Sequence, residues 1–169
     1  HPDVASSLIN LGILYYEMAD YKAAEKYYKQ ALEIKKKALG ENPPDYASSL
    51  NTLGVLYKAM GDYKAAEPYY KKSLEIRKKA LGVEHPDYAR SLNRLGNLYS
   101  DMSDYKLAET LYKQAIEIKR NILGEEHRDY AMSLMNLGIL YRKMGDYKSV
   151  EPLYNRVLEI DKQTFGEEH

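Results

Sequence analysis

Cysteine is missing from the 169 residues, which excludes disulfides and thiolate metal ligands and fits a reducing, cytoplasmic setting. Net charge is missing too, because 25 lysines and arginines balance 25 aspartates and glutamates. A nucleic-acid binder needs a basic stripe to neutralise phosphates, so that class is set aside. No apolar run approaches the roughly 18 residues of a membrane span, and no signal-peptide pattern opens the chain. Enzyme signatures are also lacking. Glycines recur at fixed places, mostly after leucine, and never form a phosphate-cradling loop; neither a His-Glu-x-x-His run nor a cysteine nucleophile occurs. No catalytic activity and no cofactor or metal is therefore expected.

What the chain has is repetition. Leu53-Gly54-Val55-Leu56-Tyr57, followed by Asp62-Tyr63-Lys64, returns 42 residues earlier as Leu11-Gly12-Ile13-Leu14-Tyr15 with Asp20-Tyr21-Lys22. It returns later as Leu95-Gly96-Asn97-Leu98-Tyr99 and Leu137-Gly138-Ile139-Leu140-Tyr141. Residues 1–42 and 43–84 share 28 identities. A fixed period of this size means stacked copies of one small unit, each burying its apolar face against the next. The chain reads as a single array, 1–169, with repeats 1–42, 43–84, 85–126 and 127–168. It opens at the first position of a repeat and closes one residue into a fifth, as expected of a segment cut from a longer protein.

Each repeat carries two helix signals. His1-Pro2-Asp3, Pro43-Pro44-Asp45, His85-Pro86-Asp87 and His127-Arg128-Asp129 open the first helix, A. Proline suits a first helical position and aspartate favours the positive helix end. In the second repeat Tyr46, Leu50, Leu53, Tyr57 and Met60 then recur at helical spacing. Gly61 and Gly145 suit a left-handed turn after this helix, where Ala19 and Ser103 fit less comfortably. Asp20, Asp62, Asp104 and Asp146 read as N-caps of a longer helix B. In that helix Ala66, Tyr70, Ser73, Leu74, Ile76, Ala80 and Leu81 point inward, and Gly82 ends it. Pro68 and Pro152 lie past its first turn, each at the loss of a backbone hydrogen bond. The basic runs Lys35-Lys36-Lys37 and Arg77-Lys78-Lys79 near its end read as a solvated face complementing the helix dipole. The histidines at 1, 85, 127 and 169 read as helix-preceding residues repeated because the repeat is, and Tyr15, Tyr57, Tyr99 and Tyr141 as core.

This pattern resembles the tetratricopeptide repeat (TPR), with Leu8, Leu11, Gly12, Tyr15, Ala24, Tyr28 and Ala31 at its signature positions in the first repeat. Ser73, Val150 and Val157 replace alanines in the others. The period of 42 instead of 34 is similar to that of kinesin light chains and bacterial arrays of the same kind. The resemblance implies an all-α fold: four helix-turn-helix pairs, eight antiparallel helices, stacked as a solenoid in a right-handed superhelical arc. It also implies that Gly12, Gly54, Gly96 and Gly138 mark close approach of helices A and B.

Variation among the repeats gathers on one face of helix A. The positions of Ser6, Ile9, Asn10, Ile13, Tyr16 and Glu17 hold a different set in every repeat, and their spacing places all six on one side. In the family this face lines a concave groove that takes extended peptides or partner helices. The resemblance implies a non-catalytic scaffold with a groove of Ile9, Ile13, Asn51, Val55, Arg90, Asn93, Arg94, Asn97, Met135, Asn136 and Ile139. The ends are apolar (Met132 included) and the middle is amide-rich and basic, so an acidic protein or peptide segment is the expected partner. Arg90, Arg94, Asn97 and Asn136 match basic and asparagine positions that grip a C-terminal carboxylate in some members, but not in the register of one complete clamp. The alternative function is a structural spacer or self-assembling array. In that reading Tyr154, Leu158 and Phe165 are left uncovered and stack head to tail on the first helix of another copy.

Overall fold

The computed structural model describes residues 2–41 and 43–166, except for the side chains of Pro2 and Phe165. His1, His169 and the uncovered Phe165 ring expected above lie outside the described residues. Among the described residues, eight helices and no strands make an all-α repeat solenoid. The helices are α1 (Pro2–Glu17), α2 (Tyr21–Leu39), α3 (Pro44–Ala59), α4 (Tyr63–Leu81), α5 (Pro86–Asp101), α6 (Tyr105–Leu123), α7 (Arg128–Met144) and α8 (Tyr147–Phe165). They form two compact units, His1–Gly82 and Val83–His169. In the first, α2 packs between α1 and α3, and α3 against α4; in the second, α6 packs between α5 and α7, and α7 against α8.

The caps follow local chemistry. Asp20 and Asp62 each accept the amide three residues on at 3.0 Å, and Asp104 and Asp146 do so at 3.3 Å. These contacts satisfy amides that the first turn leaves open. The A-to-B turn closes with a six-residue bond, Asp62 N–H to the Tyr57 carbonyl at 2.9 Å and its three equivalents. The residue inside that turn takes a left-handed backbone: Gly61 at φ 77° and Gly145 at φ 78°, but also Ala19 at φ 58° and Ser103 at φ 63°. His85 and His127 have a defined task. Each imidazole Nδ1 accepts the amide of the aspartate two residues on, at 3.1 and 3.0 Å. The histidine itself caps the helix, which explains how α7 starts without a proline.

Glycine in helix A is a packing device. A Cβ on Gly12, Gly54, Gly96 or Gly138 would sit 2.3, 3.0, 2.7 or 2.4 Å from the nearest ring carbon of Tyr28, Tyr70, Tyr112 or Tyr154. Helix B lays a tyrosine flat across the missing side chain. Ser73, standing where alanine is usual, is buried and donates its hydroxyl to the Ala47 carbonyl at 2.8 Å. Ala80, expected inward, is exposed, because the 19-residue helix B outruns its 16-residue partner. Helices α4 and α8 continue through Pro68 and Pro152.

Successive pairs are also tied by polar contacts. The Tyr57 hydroxyl donates to Glu25 Oε1 at 2.6 Å, and the Tyr141 hydroxyl to Glu109 Oε1 at 2.8 Å. The four helix-A tyrosines are therefore not simply core. Tyr15, Tyr57 and Tyr141 are half-buried, and in Tyr57 and Tyr141 the hydroxyl serves as a junction bond between repeats.

Candidate functional site

In the second unit, α5 and α7 lie side by side with the end of α6 behind them, and a cleft of about 270 Å3 opens between them. Arg90, Asn93, Arg94 and Asn97 line it from α5, Asp129, Met132 and Asn136 from α7, and Lys119 from α6. Five of the sequence-selected residues thus come together here. Met135, exposed, and Ile139, half-buried, lie on α7 outside the cleft lining. Ile9, Ile13, Asn51 and Val55 belong to the first unit, where Ile9 packs onto the core and Asn51 is buried, while Ile13 is exposed.

The floor is set by contacts between neighbouring A helices. Asn93 is buried and donates Nδ2–H to Ser133 Oγ at 2.7 Å, leaving its carbonyl oxygen buried without a partner. Further along the same faces, Lys143 of α7 reaches back to Ser100 Oγ at 3.1 Å and Asp101 Oδ1 at 2.9 Å. Part of the variable face is therefore occupied by the next helix A and is not free to take a ligand.

The cleft is rich in donors. Tyr112 donates its hydroxyl to Asn97 Oδ1 at 2.6 Å, which turns the Asn97 NH2 away as a free donor. Burial pushes the Tyr112 hydroxyl well above its ordinary value. Arg90 pairs with Asp87 at 2.8 Å and lies 4.0 Å from Asp129. Among the described residues no carboxylate pairs with Arg94.

Lys119 is the residue missed in the sequence. It is only 4% exposed and donates from Nζ to the Asp129 backbone carbonyl at 2.9 Å. Burial pulls its ammonium below the usual lysine range; Asp129 opposes the shift and Arg90 adds to it. The equivalent Arg77 is 7% exposed and donates to Ser48 Oγ at 3.1 Å, which corrects the reading of the helix-B basic run as wholly solvated. The signal was present in the spacing. Tyr112, Ala115, Ile116 and Lys119 fall at i, i+3, i+4 and i+7, on the inward stripe.

Among the described residues no group of three histidine, aspartate or glutamate side chains gathers as a metal site, and no helix is long and apolar enough to cross a membrane. Family models described as tetratricopeptide repeat match residues 45–121 and 102–163, and another of the same description matches 4–45. Among solved structures the chain is similar to BtubC (BKLC) from P. vanneervenii, with 25% identity and a TM-score of 0.85 over 100% of this chain and 68% of that one. It is also similar to a putative kinesin light chain from Podosopora anserina with nearly identical TPR-like repeats, again at 25% identity. A point variant of that protein gives a TM-score of 0.84 over 97% of this chain and 77% of that one, and a second structure gives 0.81 over 98% and 78%. No curated protein sequence matches the chain.

Proposed function

The chain belongs to the tetratricopeptide repeat family, whose members act as protein-interaction scaffolds, and from that premise we propose that it holds an acidic stretch of a partner protein in the cleft between α5 and α7. The observation that carries this reading is the excess of donors there. Arg94 has no carboxylate partner among the described residues, Asn97 uses its carbonyl on Tyr112 and keeps its NH2 as a donor, and Lys119 spends one N–H on a carbonyl and keeps two. An acidic side chain accepts from these donors and matches their charge, whereas a lysine or arginine side chain accepts from none of them. Arg94 and Arg90 are one helical turn apart on one face and can close on a single carboxylate. Met132 in the cleft, with Met135 and Ile139 beside it, supplies apolar contacts for flanking side chains. Ile13 and Val55 give the first unit an apolar A-helix face of its own.

A displayed random-peptide library panned on the chain tests the reading. Acidic or amide-rich sequences with apolar flanks are expected, with affinity falling as salt rises and lost in Arg90→Ala/Arg94→Ala. Selection of basic peptides, or unchanged binding by the double variant at low salt, would overturn it.

A further inference from the structure

The donor character of the cleft depends on which way one amide is turned. Asn97 carries a carbonyl acceptor and an NH2 donor, and the bond made by one decides that the other is left for a ligand. That bond comes from Tyr112, whose hydroxyl lies 2.6 Å from Asn97 Oδ1 and whose ring, 3% exposed, lies across Gly96.

Tyr112 is itself held from the far side. The buried Ser100 side chain hydrogen-bonds its hydroxyl. Ser100 Oγ in turn accepts from Lys143 Nζ at 3.1 Å, and Asp101 Oδ1, 2.9 Å from the same nitrogen, holds that ammonium in place. An ammonium only donates, so the direction of the whole chain of bonds is set at its Lys143 end. Ser100 receives from Lys143 and gives its own proton to Tyr112, and Tyr112 gives its proton to Asn97. The acceptor of that last bond is the Asn97 oxygen, and the NH2 is left over. Three helices supply the parts: α7 gives Lys143, α5 gives Ser100 and Asn97, and α6 gives Tyr112.

Only the third repeat brings these parts together. Tyr28, Tyr70 and Tyr154 hold the place of Tyr112 in the others, but the equivalents of Asn97 are Ile13, Val55 and Ile139, whose side chains accept nothing. At the place of Ser100 stand Tyr16, Lys58 and Arg142. The tyrosine that packs on the helix-A glycine in every repeat has a second task in this one.

Resting on the reading of the cleft as a site for an acidic segment, we propose that Tyr112, directed by Ser100 and Lys143, is the positioning residue that makes the cleft select acceptors. It does so by locking Asn97 with its NH2 as the donor, and touches no ligand itself. Without the lock the amide can turn over and offer its oxygen to the cleft that Arg94 and Lys119 also line. One donor is then lost and another can be consumed.

15N relaxation of side-chain amides in the ligand-free chain tests the lock. Fluorescence anisotropy with a labelled glutamate-rich, apolar-flanked peptide from the library panning tests its use. In the wild type the Asn97 NH2 is expected to be nearly as rigid as the backbone, unlike that of the exposed Asn155. Tyr112→Phe keeps the packed ring, Lys143→Met changes a residue outside the cleft lining, and circular dichroism verifies the fold of each. Both variants are expected to free the Asn97 amide, a readout that the loss of a distant charge does not move. Tyr112→Phe is also expected to weaken the peptide about tenfold, the loss of one hydrogen bond to a charged group. A wild-type Asn97 amide as mobile as that of Asn155, or one left rigid in Tyr112→Phe, would overturn the lock. Rigidity kept in Lys143→Met would overturn the direction assigned to Lys143. If the wild type binds the peptide and Tyr112→Phe binds it equally well, the cleft reading stands and the role of Tyr112 in selection falls. A wild type that selects no acidic peptide would overturn the cleft reading itself, and the selective role with it.

Discussion

Adding one methyl group to Gly96 should test the packing of helix A on helix B at its tightest polar-anchored point. The new Cβ would meet Tyr112 Cε1 at 2.7 Å and Cδ1 at 2.9 Å. The ring has little room to retreat, being 3% exposed with its hydroxyl held by Asn97 at 2.6 Å. Alanine gains about 1 kcal/mol over glycine inside a helix. Forcing a packed ring aside costs about 1–3 kcal/mol. The net for Gly96→Ala is then a loss on the order of 1 kcal/mol. At Gly54 the three nearest ring carbons of Tyr70 all lie at 3.0 Å, so a shift of a few tenths of an ångström suffices and gain and cost nearly cancel. Urea unfolding followed by circular dichroism should show a lower midpoint for Gly96→Ala and an almost unchanged one for Gly54→Ala. If Gly96→Ala raised stability by the full helical gain, the ring would not be lying where this packing requires.

Two further variants separate binding from folding. Lys119→Met is expected to raise stability at neutral pH, because a buried ammonium with a lowered pKa opposes folding while it is charged, and to weaken acidic-peptide binding; a loss of stability in urea titration would show that the bond to the Asp129 carbonyl outweighs that burial and assign Lys119 to the scaffold. Acid should weaken the fold. The Lys36 ammonium and then that of Lys72 hold Glu41 down, from 4.5 to about 2, and Lys29 with the Tyr57 hydroxyl lowers Glu25. A depressed carboxylate contributes stability that is present above its ordinary value and lost as pH falls through the folded one. Thermal midpoints should therefore fall between about pH 4.5 and 2, less steeply in Glu41→Gln, and an identical slope in that variant would count against the Glu41 pairs.

The legible part of this structure is the local part. The caps at Asp20, Asp62, Asp104 and Asp146, the left-handed turns and the close approach at the helix-A glycines each depend on residues adjacent in sequence or set by the repeat. The site was only half legible. Helical spacing put Arg90, Asn93, Arg94 and Asn97 on one face, but the Asn93–Ser133 bond joins residues 40 apart and consumes part of that face. Lys119 was hidden for a different reason: in a chain with so many lysines, a base near a helix end reads as solvated unless its register with Tyr112 and Ala115 is followed. The Glu25–Tyr57 and Glu109–Tyr141 bonds span 32 residues and require knowing how one pair stacks on the next.

The most direct test of the proposed cleft is an NMR titration of 15N-labelled chain with a selected acidic peptide, read at the side-chain amides of Asn97 and Asn136 and the Nε–H signals of Arg90 and Arg94. Saturating shifts confined to these groups and to neighbouring α5 and α7 amides are expected, and Asn51, buried in the first unit, should stay still. Saturable binding that leaves all four side chains unmoved would contradict the assignment of the cleft as the site.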